Sequence, residues 1–375
     1  MESSNVGKVV ETLVTKRTSR AVKVGNLIIG GDAPITIQSM TNTDTKDVEA
    51  TVKQIKALVD AGCEIVRISL PDLESARKVR VIKERLKELN VEVPLVGDIH
   101  FDYRIALEAI KQGIDKIRIN PGNIGSELKI VEVVKAAKQR GIPIRVGANS
   151  GSLPKDLEHL PRAQALAEAA LREVRILEKH GFDDIVVSVK SSDVVETIES
   201  NRYVANVVDY PLHVGVTEAG TLYNSLIKSS IALGVLILEG IVDTLRISIA
   251  GDPVNEVIAA KKLLTALHLR KGPNVVACPT CARTVFDVES VALEVEKLVS
   301  GVQEDIAISV LGCVVNGVGE GKDADVGIAG VRDGVVVFYK GEIIGTYKFD
   351  EGLIKLKELI NRILADKKAK HVNSF

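Results

Sequence analysis

The chain has no tryptophan, and only 3% of its 375 residues are aromatic. So few flat rings exclude a stacking platform of the kind that single-strand nucleic-acid binders use. Neither charge is in excess: 49 Lys and Arg face 50 Asp and Glu, a formal net charge of -1. That balance argues against general binding to nucleic acid or to an anionic membrane, and leaves room for a local basic pocket. Long apolar runs are missing as well. The best of them, residues 231–238, is stopped by Glu239 and is far too short to span a bilayer. The N-terminal stretch is polar and holds nothing resembling a signal-peptide core, so a cytoplasmic protein is expected. Four cysteines are too few for a disulfide scaffold and suit a metal in a reducing compartment. The sequence also lacks H-E-x-x-H and the C-x-x-x-C-x-x-C of radical enzymes that use S-adenosylmethionine.

What is present is enough apolar residue, 46%, to bury a sizeable core. Residues 1–33 read as a lead-in segment, with a small hairpin over 22–29 around Gly25-Asn26. From Pro34 onward, short β-rich runs alternate with amphipathic stretches of helical period. Strands are expected at 35–39, 65–69, 94–98, 116–120, 143–148, 184–189, 212–215 and 244–249, with helices such as 47–61, 73–89, 125–140, 164–180 and 254–267 between them. Strand–helix units repeated over residues 34–268 match a (β/α)8 TIM barrel in length and order. A doubly wound open sheet is the alternative, but no G-x-G-x-x-G follows the first strand. Residues 269–375 change pattern. A helix over 287–300, strands at 306–310, 326–329, 335–339 and 342–347, and a closing helix over 352–365 make a small α+β domain, followed by a solvated tail from 367.

A TIM barrel takes its active-site groups from the C-terminal ends of its strands. Those ends read Val66-Arg67-Ile68, Gly97-Asp98-Ile99-His100, Arg118-Ile119-Asn120, Arg145-Val146-Gly147-Ala148-Asn149, Val189-Lys190, His213-Val214-Gly215-Val216-Thr217-Glu218 and Arg246-Ile247-Ser248. Members two apart, such as Arg118 and Asn120, Asp98 and His100, or Arg246 and Ser248, share one face of a strand. Arg67, Arg118, Arg145, Lys190 and Arg246 thus supply cations at equivalent ends, with Asp98 and Glu218 the only acids near enough to neutralise them. A single buried-stem arginine is usually salt-bridged or snorkelling. A ring of them without counter-ions is expensive to bury, so a polyanionic ligand is the expected partner. Arginine's planar fork matches phosphate oxygens, which favours a diphosphate-bearing small molecule. Glu218 reads either as a general acid or base or as a carboxylate that orients an arginine. His100 and His213 can donate to phosphate or hydroxyl groups, or serve the core. The loop from Ser39 to Asp44 offers hydroxyls at the first strand's end, or only turn and cap duties.

Three of the cysteines fall in the second domain, as Cys278-Pro279-Thr280-Cys281 and Gly312-Cys313-Val314-Val315-Asn316-Gly317. A C-x-x-C pair can bring two thiolates to one metal from a single turn, and the distant third makes a tripod. Cys63, between a helix and the second strand, reads as a small buried hydrophobe. Spacing alone leaves a three-cysteine zinc site open beside an iron–sulfur cluster. A structural zinc normally has a fourth Cys or His nearby, whereas three cysteines with an open position suit an iron that meets substrate.

These motifs, with Ser39-Met40-Thr41-Asn42-Thr43-Asp44-Thr45, Asn120-Pro121-Gly122-Asn123, Thr217-Glu218-Ala219-Gly220 and Gly319-Glu320, resemble those of the 4-hydroxy-3-methylbut-2-enyl diphosphate synthases. The chain is similar to the two-domain bacterial form over nearly its whole length, with Val318 where the family commonly has proline. The resemblance implies reductive ring opening of 2-C-methyl-D-erythritol 2,4-cyclodiphosphate in non-mevalonate isoprenoid synthesis, with two electrons from ferredoxin or flavodoxin. It implies one [4Fe–4S] cluster per subunit on Cys278, Cys281 and Cys313, with Glu320 as fourth, exchangeable ligand. Arg67, Arg118, Arg145, Asn149, Lys190, Arg246 and Ser248 would bind the diphosphate, with Asp98, His100 and Asn120 beside them. Asn316 would approach the carbon skeleton, and Glu218 would give or take a proton. One expectation needs only the fold. The eighth helix ends at the barrel's bottom face, and the join over residues 269–274 reaches at most about 20 Å. The cysteine domain is therefore expected to cap a second subunit's barrel in a head-to-tail homodimer, or to close by a large motion, and the resemblance points to the dimer.

Overall fold

Strands buried on both faces are what a parallel sheet covered by helices demands, and Ile185–Lys190, reading IVVSVK, is buried at every position. The computed structural model describes residues 14–124, 126–315 and 323–372. It divides into two units, Met1–Leu263 and Leu264–Phe375. In the first, β1 (Val22–Val24) and β2 (Leu27–Ile29) pair antiparallel as the expected hairpin. There follow β3 (Thr36–Met40), α1 (Val48–Ala61), β4 (Ile65–Ser69), α2 (Leu73–Glu88), β5 (Leu95–Asp98), α3 (Tyr103–Lys111), β6 (Lys116–Arg118) and α4 (Glu127–Arg140). Then come β7 (Ile144–Asn149), α5 (Arg162–Lys179), β8 (Ile185–Lys190), α6 (Val194–Val207), β9 (His213–Val214), α7 (Leu222–Leu238), β10 (Thr244–Leu245) and α8 (Val254–Ala266).

The sheet order β8-β7-β6-β5-β4-β3-β10-β9 is parallel throughout. A parallel bridge between Val187 and Leu212 joins its two ends, so the eight strands close into the expected TIM barrel. Helix boundaries follow local chemistry. Asp47 caps α1 by accepting from the Ala50 amide at 3.0 Å, and Gly62, at φ 106, turns the chain out of it. Asp72 and Ser75 form a reciprocal capping box at the start of α2. Polarity is set from below. Val22, Val24 and Ile29 of the hairpin pack on Ile65, Val96 and Val186 inside the barrel and plug its N-terminal end. The arginines at the C-terminal end of the strands lie away from that apolar plug.

The second unit is a five-stranded sheet, β11 (Pro273–Ala277), β12 (Ile306–Leu311), β13 (Val326–Val331), β14 (Gly334–Tyr339) and β15 (Glu342–Tyr347), in that order. Its first three strands are parallel and its last two pairings antiparallel. Helices α9 (Val288–Leu298) and α10 (Phe349–Val372) bury Val291, Val295, Leu356 and Ile360 on one face, against Ile308, Ile328 and Val337. Two expectations are corrected here. Residues 273–277 extend the sheet as β11 rather than belonging wholly to the join, pairing along their length with β12. The closing helix, expected over 352–365, also runs on through Lys367 to Val372, with Lys368 and Ala369 solvated as expected. Apolar spacing stops near residue 364, and helical backbone does not need it to continue.

Candidate active site

The side chains that leave the strand ends toward the barrel axis are mostly cationic. Asp98 on β5 stands in register with Arg118 on β6, and Arg118 with Arg145 on β7, so all three leave the same side of the sheet. Arg118 Nη1 lies 3.4 Å from Asp98 Oδ1 and 3.0 Å from each ring nitrogen of His100. His100 Nε2 is 3.3 Å from Asp98 Oδ2. Arg67 on β4 comes within 3.9 Å of the same oxygen and donates from Nε to Met40 Sδ at 3.0 Å. Burial alone would raise the Asp98 carboxyl, but Arg67, the His100 hydrogen bond and Arg118 hold it well below the usual carboxylate range. Burial lowers the Arg67 guanidinium to about 10 against the pull of Asp98, with Arg246 and Arg118 adding to the fall.

Arg145 is the least compensated. It is 2% exposed, and its Nε and Nη1 have no hydrogen-bond partner. Burial, then Arg67 and Arg118, push it well below its ordinary range. Lys190 Nζ meets His213 Nε2 at 3.3 Å and is lowered by burial and by Arg145. Two glycines make these approaches possible. A Cβ on Gly147 would come 1.8 Å from the Ser188 carbonyl oxygen. One on Gly215 would come 2.1 Å from the Arg246 carbonyl and 3.3 Å from Lys190 Nζ.

Arg246 differs from the rest, and corrects the expected inventory of acids. Glu256, 2% exposed on α8, takes its Nε and Nη2 at 3.0 Å each. Glu256 also accepts Ser39 Oγ at 2.7 Å and the Ile249 amide at 3.1 Å. The second neutralising carboxylate is therefore Glu256, whereas Glu218 is exposed and sits in the left-handed region at φ 49. Among the other expected residues, Asn120 has a buried Oδ1 without a partner, and Asn149 stands opposite Lys190 in the β7–β8 register. Ser248 offers its carbonyl to Ser225 Oγ at 2.8 Å. Asn316 and Glu320 lie outside the described residues.

Three residues escaped the sequence reading. Lys116 lies two positions before Arg118, so strand alternation already put it on the inward face. Glu256 falls next to the buried Val257 in a helix that also buries Ala260 and Leu264, a position where an acid signals a buried partner. Glu173 on α5 accepts the Gly122 amide at 2.9 Å and fixes the turn after β6; nothing in its local spacing announces that contact.

In the second unit, Cys278 is half-buried and its Sγ accepts the Gly312 amide at 3.0 Å, which ties the C-x-x-C turn to the turn carrying Cys313. The Cys278 amide donates to Val310 and the Val285 amide to Gly312, fixing both turns to β12. Cys281 is exposed, and the Arg283 amide holds its thiol below the ordinary range. Cys63 is 4% exposed, with its thiol pushed up to about 12 by burial, as befits a core residue. Among the described residues no three His, Cys, Asp or Glu side chains converge closely enough to hold a metal ion. The donor chemistry still fits an iron–sulfur group: three free thiols on two turns, one sulfur already taking an N–H and another shifted toward thiolate.

Two family descriptions match the chain, a GcpE TIM-barrel domain over residues 19–261 and a GcpE protein C-terminal domain over residues 274–362. A relative from Thermotoga maritima, a 4-hydroxy-3-methylbut-2-en-1-yl diphosphate synthase (flavodoxin), is 55% identical over 92% of this chain and 98% of its own. Relatives of the same name from Caldicellulosiruptor saccharolyticus and Clostridium perfringens are 52% and 50% identical, each over 92% of this chain and 98% and 100% of their own. Among solved structures, a dihydropteroate synthase from Xanthomonas albilineans covers 66% of this chain and 97% of its own at 17% identity and a TM-score of 0.49, too slight a likeness to carry an argument. No helix among the described residues is long and apolar enough to cross a membrane. With both of its units matched and half its residues shared with these relatives, the chain belongs to the 4-hydroxy-3-methylbut-2-en-1-yl diphosphate synthases, a family of iron–sulfur oxidoreductases in isoprenoid synthesis.

Proposed function

We propose that this chain reduces 2-C-methyl-D-erythritol 2,4-cyclodiphosphate to (E)-4-hydroxy-3-methylbut-2-enyl diphosphate, with flavodoxin or ferredoxin as donor. Two electrons and two protons are consumed, the ring C–O bond to phosphate breaks, and one hydroxyl leaves as water. The observation that carries the reading is the buried cationic ring of Arg67, Arg118, Arg145, Lys190 and Arg246, whose ion pairs among the described residues are with Asp98 and Glu256 alone. A diphosphate supplies the missing negative charge, and Arg145, with two unpartnered nitrogens, is the first place for its oxygens. Asn149 and Ser248 would bind the diphosphate with these cations, and His100 and Asn120 would stand beside it. Asp98 holds Arg67 and Arg118 in position rather than touching the anion, since like charges repel.

Cys278, Cys281 and Cys313 would hold one [4Fe–4S] cluster per subunit, with Glu320 as an exchangeable fourth ligand, and the chemistry such a group would supply is one-electron transfer. Asn316 would meet the carbon skeleton, and Glu218, exposed beside the mouth-forming loop, would exchange protons with solvent. The short link from α8 to β11, residues 267–272, reaches at most about 20 Å. It supports a homodimer in which each barrel is served by the cysteine domain of the other copy. The decisive experiment is anaerobic turnover of the cyclic diphosphate with a low-potential donor, alongside iron and sulfide analysis. Stoichiometric zinc without sulfide would leave instead a barrel enzyme with a structural zinc domain. Mixing Cys313→Ser subunits with Arg118→Ala subunits should recover about one working site per mixed dimer. Recovery no greater than the parents would mean that each chain completes its own site.

A further inference from the structure

Below the ring of arginines the barrel interior holds buried polar atoms that diphosphate binding leaves unused. Lys116, at the start of β6, is 0% exposed and its Nζ has no hydrogen-bond partner. The same is true of both amide atoms of Gln38 on β3 and of Nδ1 of His213 on β9. The charged groups that act on Lys116 are Arg145 from β7 and Arg67 from β4, and Lys116 in turn acts on His213 from β9. Lys190 on β8 adds a further cation against His213. The interior's carboxylates are committed elsewhere: Asp98 on β5 to Arg67, Arg118 and His100, and Glu256 on α8 to Arg246. An ammonium with no counter-ion, no acceptor and guanidiniums for neighbours is unstable toward loss of its proton.

We propose that Lys116 is a neutral amine in the empty barrel and is charged when the anion arrives, so that the substrate binds together with about one proton. The inference rests on the diphosphate reading of the mouth and adds a positioning residue to it, one that acts on the anion through the arginines. The direction of every shift agrees. Burial, then Arg145 and Arg67, push Lys116 well below the ordinary lysine range. Burial and the same cations also lower Lys190 and His213. A bound anion supplies opposite charge and raises all of them. Between the empty and the bound values, binding therefore takes up protons, and affinity falls as pH rises, about tenfold per pH unit for each proton. The device spares the empty barrel a charge that it cannot compensate, yet offers that charge once a polyanion is present.

Calorimetric titration of the full-length, cluster-loaded protein tests this under anaerobic conditions without reductant. The probe is 2-C-methyl-D-erythritol 2,4-cyclodiphosphate, whose phosphodiester oxygens are fully ionised and contribute no protons of their own. Binding enthalpy is measured at about pH 8 in buffers of low and high ionisation enthalpy, and the slope counts protons. The expected result is proton uptake by the wild type that is smaller by about one proton in Lys116→Met, together with a Kd that rises with pH less steeply in the variant than in the wild type. Binding with no net uptake in the wild type overturns the proposal whether or not the variant folds, as does an unchanged proton count in a folded Lys116→Met. A cyclic diphosphate that does not bind at all overturns it together with the diphosphate reading, so the two failures are told apart.

Discussion

Replacing Glu256 by glutamine separates the charge of the buried Arg246 pair from its shape. Glu256 accepts four hydrogen bonds, from Arg246 Nε and Nη2, Ser39 Oγ and the Ile249 amide. Each carboxylate oxygen receives one bond from Arg246 and one from a neighbour. Glutamine keeps one oxygen, and its amide nitrogen then faces two donors whichever way it is flipped. At least one guanidinium bond is lost, and Arg246 joins the uncompensated cations. Breaking a buried pair by neutralising one partner costs about 3–5 kcal/mol, which for a domain of this size lowers Tm by about 6–20 °C. The assay is thermal unfolding of the ligand-free protein followed by circular dichroism, repeated with the cyclic diphosphate present. The ligand should narrow the gap between variant and wild type, because its charge replaces the one removed. A Tm within about 2 °C of wild type would refute the reasoning, since it would make the pair worth no more than a solvated surface bridge.

Arg145→Met should move stability and binding in opposite directions. Removing an unpartnered buried cation raises Tm of the empty protein, whereas loss of a charge-assisted contact of about 1.5–3 kcal/mol weakens cyclic-diphosphate binding by about 10- to 150-fold in calorimetry. Stability of the empty protein should also rise with pH above neutrality. The folded-state values of Lys116 and Lys190 are depressed below the ordinary lysine range, so in that window the unfolded chain binds more protons and the fold gains as pH increases. A series of melting curves from about pH 7 to pH 9 checks this, and a flat or falling Tm would count against a neutral interior. Gly147→Ala sets a Cβ 1.8 Å from the Ser188 carbonyl, and is expected to yield barrel material that is insoluble or melts at least about 10 °C lower. Cys281→Ser should lose iron–sulfur absorbance and bound iron while leaving the far-ultraviolet spectrum of the barrel unchanged, because Cys281 is exposed and outside that unit's core.

Much of this protein could be read from one dimension. Alternation of β-rich and helical stretches determined the barrel, because a buried parallel strand and an amphipathic helix each leave a period that needs no partner to be recognised. The strand ends carrying Arg67, Arg118, Arg145, Lys190 and Arg246 followed from that period together with the rule for where such barrels keep their chemistry. The C-x-x-C pair with Cys313 suggested a metal centre by spacing alone. Boundaries were less legible. β11 has few exclusively apolar positions, being partly exposed, and α10 continues past its apolar stripe.

What only the tertiary structure decided is the charge balance of the interior. Glu256 is far from Glu218 in kind, yet both are acids near the barrel's last strands; closure of the sheet buries the first against Arg246 and leaves the second in solvent. Lys116 looks in sequence like any lysine at the start of a strand; closure of the barrel buries it, and that burial, with Arg145 and Arg67 brought in from β7 and β4, pushes it well below the ordinary lysine range. Periodicity fixes which way a side chain points. Whether its charge survives depends on the summed field of groups brought together from distant positions, and that sum exists only once the barrel has closed.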